Sequence, residues 1–102
     1  MTEWIRTRVP PPPEALSQRF SEILGDAVAD SIASLPGSLI DSAANLLTHV
    51  GNDRSAATDL LVADALITYA MEAAAEYSLD VEAIAERAAY TLATVASRGA
   101  QV

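Results

Sequence analysis

Asp64, Thr68, Glu72 and Glu76 fall at four-residue intervals, so on a helix they line up as one narrow polar row. Three carboxylates in such a row have the chemistry of a divalent-cation site or of acid–base work, because hard cations take oxygen ligands. The plainer reading, and the preferred one, is that the row is its helix's one strip facing water, or facing Arg87 or an arginine of the N-terminal arm. Helical metal patterns give no further support. The single histidine, His49, lacks a glutamate three residues before it, and no two glutamates stand three apart. No metal and no cofactor is expected, and Asp64, Glu72 and Glu76 remain the candidates should a cation bind.

Other catalytic chemistry finds few residues to use. The chain has no cysteine, and all six of its basic residues are arginine, so thiolate ligands, a cysteine nucleophile and a Schiff-base lysine are excluded. His49 reads as a surface histidine in the last turn of a helix, where a protonated imidazole complements the helix dipole. There is no Gly-x-Ser-x-Gly and no glycine-rich phosphate loop. Tyr69, Met71 and Tyr90 could line an apolar pocket between helices, although tyrosines so placed commonly belong to the core with the hydroxyl at its rim. Glu22, Asp26 and Asp30 form a second acidic row, read as an ordinary solvated face or as the counterpart of a basic partner.

The stretch RTRVPPPPEA offers binding chemistry instead. Four consecutive prolines form a stiff polyproline II segment, rising ~3.1 Å per residue, which is expected to hold an extended arm (residues 1–12) away from the first helix. Trp4, Arg6, Arg8, Pro10 and Pro13 are the candidate partner-binding residues. The arm would lie in a groove of a second subunit, with Trp4 buried and Arg6 or Arg8 on the acidic body, or be offered to an aromatic-lined groove of another protein. A third reading treats it as a stiff lead-in to the first helix and nothing more.

The elements that position these residues follow from periodicity. Leu16, Phe20, Ile23, Leu24, Ala27, Val28, Ile32 and Leu35 predict a first helix over 13–34, with Pro13 at its first position and LPGS stopping it. Leu39, Ile40, Ala43, Leu46, Leu47 and Val50 predict a second over 38–50, opened by a Ser38/Asp41 capping box and ended by Gly51. A third spans 56–76, and a fourth spans 80–97 with Asp80 as its N-cap. Val81, Ile84, Ala85, Ala88, Leu92 and Val95 are expected to form the buried face of that fourth helix. Twenty-one alanines against five aromatic residues favour close-packed helices over sheets. The expectation is an all-α, four-helix bundle-like domain over residues 13–98.

The third helix is apolar over most of its circumference, more than a single bundle is expected to cover. A homodimer pairing Ala63, Ile67, Ala70 and Ala74 with their symmetry mates would supply the missing shelter. The net charge of −8 argues against nucleic-acid binding through phosphates, and no apolar run approaches the ~20 residues of a membrane span. Charge is unequally divided. Residues 1–19 carry three arginines against two glutamates, leaving +1, and residues 20–102 carry three arginines against twelve acids, leaving −9. The resulting expectation is a small, acidic, cytoplasmic, non-catalytic, homodimeric module working by protein–protein contact as an accessory or regulatory subunit. A carboxylate-based, metal-assisted enzyme or a small-molecule binder is the alternative, and acidic mimicry of a nucleic acid stands behind both.

Overall fold

The computed structural model describes residues 1–8, 11–25, 31–49 and 55–100. Those residues form five helices and no strand: α1 (Thr2–Arg6), α2 (Glu14–Leu24), α3 (Leu35–Thr48), α4 (Ser55–Glu76) and α5 (Val81–Ala100). The fold is all-α, and among the described residues no helix is long and apolar enough to cross a membrane. α4 is the axis of the molecule. It contacts α2, α3 and α5, most extensively α3.

The arm is the first departure from expectation. Residues 2–6 are helical rather than extended, and the segment folds back on its own chain, with Ile5 only 1% exposed within the core that holds Phe20 and Leu66. Stiffness in the proline segment governs the direction of the chain locally. It does not prevent a short apolar helix at its end from finding an apolar seat. Pro13 keeps polyproline II angles (φ −54, ψ 147) as the N-cap of α2, so the helix begins at Glu14, one position after the expected start.

α2 stops at Leu24, ten residues short of its predicted end. Gly25 adopts φ 54, ψ −132, a conformation that residues with a Cβ seldom reach, so it ends the helix inside the span predicted for it. Residues 26–30, which carry Asp26 and Asp30, lie outside the described residues, as do Val9, Pro10, Val50 and Gly51. LPGS opens α3 rather than stopping a helix, because proline in a first turn gives up an N–H that has no helical partner anyway. The Ser38/Asp41 capping box gives way to an exchange just upstream. The Ser31 N–H donates to Ser34 Oγ (2.9 Å) and the Ser34 N–H to Ser31 Oγ (3.2 Å). Asp41 instead meets Arg87 of α5 at 3.1 Å, the guanidinium lying over Gly37, where a Cβ would collide with it.

α4 and α5 match their predicted spans closely. The turn between them is of Schellman type. The Leu79 N–H donates to the Ala74 carbonyl (2.7 Å) and the Ser78 N–H to that of Ala75 (3.3 Å), with Ser78 at φ 55. Glycine tolerates that position without the steric cost paid by a residue with a Cβ, so Ser78→Gly is expected to stabilise the fold by about 1 kcal/mol, read as a raised urea midpoint. Asp80 caps α5 as anticipated, accepting the Ala83 N–H at 3.0 Å.

The α4 face expected to pair two chains is used inside one chain. Val62, Ala63, Leu66, Ala70, Ala73 and Ala74 are all buried inside one chain, so Ala63, Ala70 and Ala74 have no surface to offer a mate, and Ile67 is half-buried against the core. The small side chains let α3 approach closely along much of α4, and α2 and α5 cover further faces, more than a four-helix estimate allowed. Leu60 and Leu61, 52% and 59% exposed at the N-terminal end, are the large apolar residues of this helix that remain uncovered. α5 is covered less than expected: Ala88 is buried and Ile84 packs on the core, but Val81 and Leu92 of its predicted inner face are exposed.

Candidate functional site

The structure brings together two groups of residues that the sequence presented separately. Glu72 and Glu76 of α4 receive Trp4 and Arg8 of the arm. The Trp4 indole N–H is shared between Glu76 Oε2 and the Tyr77 hydroxyl oxygen, both at 3.1 Å. One guanidinium nitrogen of Arg8 donates to the same Glu76 oxygen at 2.8 Å. Arg8 Nε lies 3.2 Å from Glu72 as an ion pair, without the alignment of a hydrogen bond, and is itself buried.

Aromatic packing completes the seat. The Arg8 guanidinium, just past the end of α1, stands 4.4 Å from the centre of the Trp4 ring, an attraction between cation and π face. The Trp4 ring meets Tyr69 edge to face at 6.2 Å, and Tyr69 meets Phe20 of α2 at 5.9 Å. A chain of rings thus runs from the arm to the core. Periodicity alone could not identify Tyr69 as a member of that chain of rings or Tyr77 as an acceptor for the indole. The signals available were the opposite charge of arm and body and the matched i, i+4 spacings of Trp4 with Arg8 and Glu72 with Glu76.

The acidic row does not act as a unit. Asp64 is exposed, with its backbone carbonyl accepting the Thr68 hydroxyl, while Glu72 and Glu76 are committed to the arm. Among the described residues no group of three His, Cys, Asp or Glu side chains is arranged to hold a metal ion. Arg6 and Pro13 are exposed. His49 is exposed at the end of α3, its Nδ1 2.7 Å from the Asn45 carbonyl. Tyr69 and Tyr90, grouped in the sequence as possible pocket residues, belong to different sites. Tyr69 lies under the arm, whereas Tyr90 stands 76% exposed beside a groove of about 360 Å³ between α3 and α5, lined also by Ala44, Asn45, Thr48 and Val95.

Two measurable consequences follow. Trp4 is the chain's one tryptophan, so its emission reports the arm directly. Arg8→Ala removes both ion pairs and the cation over the ring. It is expected to shift emission to the red with little loss of helicity, at a local cost of about 1–2 kcal/mol. Added salt will move the wild-type emission in the same direction.

The second concerns alkaline pH. Burial pushes the Tyr69 hydroxyl above the usual tyrosine range and Glu72 adds to the rise, while Arg8 opposes it. The folded state therefore holds this proton more tightly than the unfolded chain does. Its stabilising contribution is complete below the unfolded value of about 10 and is lost as pH rises through the folded one. Urea midpoints measured from neutral pH to beyond that value are expected to fall, and Tyr69→Phe will lessen the fall.

Comparison with family models, with curated proteins and with solved structures found no match to this chain in any of the three.

Proposed function

We propose that this chain is a small, acidic, non-catalytic helical module, an accessory or regulatory subunit of cytoplasmic assemblies, that works by protein–protein contact through the exposed residues of α5. The observation that carries this reading is how little of α5 the chain uses for itself. Ala88 is its buried residue among those described, while Val81, Tyr90 and Leu92 are large and exposed. Tyr90 stands exposed beside the groove between α3 and α5, and Val81 and Leu92 are left uncovered on the flank that carries Ala88, so a partner helix laid along α5 would find apolar contacts there.

Charge selects the kind of partner. Asp80, Glu82 and Glu86 are exposed on and just before the same helix, whereas Arg8, Arg19 and Arg87 are occupied by Glu72, Glu76, Asp59, Glu22 and Asp41. An amphipathic segment rich in arginine or lysine complements this surface. The enzyme reading loses its main support with Glu72 and Glu76 engaged by the arm.

A photoreactive phenylalanine analogue at position 90, with one at exposed Gln18 as control, tests the proposal in cells producing the full chain. The expected result is a discrete adduct at 90 alone, on a basic peptide, and its loss when Glu82 and Glu86 are both changed to lysine. Absence of an adduct, or one indifferent to the charge reversal, overturns it.

A further inference from the structure

We infer that the seat on α4 accepts the arm of a second copy as well as its own, so that the chain forms a dimer by exchanging residues 1–8. This does not rest on the α5 reading. Its ground is the nature of the arm's attachment. Trp4 and Arg8 are held by Glu72, Glu76 and Tyr77, partners 64 to 73 positions away, and Ile5 fills a place in the core. None of these contacts distinguishes an arm on the same chain from an identical arm on another.

The covalent connection is the only feature that makes the two arrangements unequal. It is Val9–Pro13, four of whose five residues are proline. Prolines lack the N–H through which a linker could be stitched to the body, and they stiffen the segment toward polyproline II, as Pro13 shows. Among its described residues the linker's carbonyls accept the Ser17 N–H (2.9 Å, from Pro13) and the Ser17 hydroxyl (3.5 Å, from Pro12), both at the start of α2. Closure within one chain is favoured only by the effective concentration that this tether supplies, which depends on how well its stiff reach matches the span to the seat. Exchange of an identical element is then a low-cost route to a dimer.

Two further features favour refilling the seat over leaving it empty. Release of the arm uncovers the place of Ile5 and the edge of Tyr69, and leaves Glu72 and Glu76 without their cation. The opposite charges of head and body, +1 and −9, attract between molecules as they do within one. In the exchanged pair each basic arm rests on an acidic body as it does within one chain, so charge does not oppose the transfer.

The test uses two full-length variants with complementary defects. Glu72→Gln with Glu76→Gln weakens the seat but keeps the arm and its tryptophan. Trp4→Ala with Arg8→Ala weakens the arm, keeps the seat and contains no tryptophan. Circular dichroism checks that each is helical. On mixing, the Trp4 emission of the first is expected to move to the blue in a saturable way as the second is added, and light scattering is expected to show species of twice 10.7 kDa.

Wild-type chains at rising concentration, in a mixture of isotope-labelled and unlabelled copies, supply a measurement that needs no substitution. Exchange predicts intermolecular NOEs between the Trp4 indole and the Tyr69 ring. Unchanged emission with monomeric mass up to about 1 mM, the scale of effective concentration for a short tether, overturns the inference. NOEs confined to one chain overturn it also. So does a dimer that persists in the Trp4→Ala, Arg8→Ala variant by itself, an outcome that leaves the α5 surface untouched.

Discussion

Phe20→Ala is expected to remove about 3–5 kcal/mol of stability, a large share of the 5–15 kcal/mol typical of a domain. Phe20 is 1% exposed, and it is the largest of the fully buried side chains. Its ring ties α2 to α4 and sits edge to face against Tyr69, which in turn carries Trp4. Removing it leaves a cavity that the short α2 cannot close, since Gly25 ends the helix a few residues later and Arg19 fixes it on the other side. The effect should therefore exceed the loss of one core contact. Urea unfolding will measure the global loss, and a red shift of Trp4 below the unfolding midpoint will measure the part transmitted to the arm. Phe20→Leu, which keeps most of the volume, should cost under about 1.5 kcal/mol. Equal, small effects from both substitutions would contradict the packing described.

Arg19→Ala is expected to cost about 2–3 kcal/mol. Asp59 is 6% exposed, the one buried charged residue among those described, and it is met by two nitrogens of Arg19, at 2.8 and 3.2 Å. Hydrogen bonds to Asp59 first and Glu22 second hold the guanidinium above even the usual arginine range. Truncating Arg19 leaves Asp59 buried without its partner, which costs ~3–5 kcal/mol for a fully enclosed pair. The value here is lower because a third of the Arg19 side chain remains in contact with water. Arg19→Lys keeps the charge but loses the two-pronged geometry and should fall between. Adding Asp59→Ala to Arg19→Ala should recover part of the loss, and that non-additivity, read from urea midpoints of the four proteins, checks the pair.

The helices of this chain were legible wherever local chemistry and pattern agreed. α4 and α5 emerge within a few residues of their predicted spans because alanine-rich periodicity, a capping aspartate and a polar turn all point the same way. α2 and α3 were misjudged at their junction for one reason. A proline–glycine pair reads equally as the end of one helix or the first turn of the next; here Gly25 at φ 54 ends α2, and Pro36 and Gly37 stand in the first turn of α3. The role of Arg19 with Asp59, 40 positions apart, left no periodic trace at all.

Composition and spacing alone therefore determined that the chain is helical and acidic, that its arm and body carry opposite charge, and that Glu72 and Glu76 share a face with room for an arginine. Only the tertiary structure decided whose arginine that is and what covers α4. Such contacts are made between segments far apart along the chain, and they depend on how closely alanine faces allow helices to approach. That distance is set by the packing of all five helices together, a quantity that no local run of residues contains.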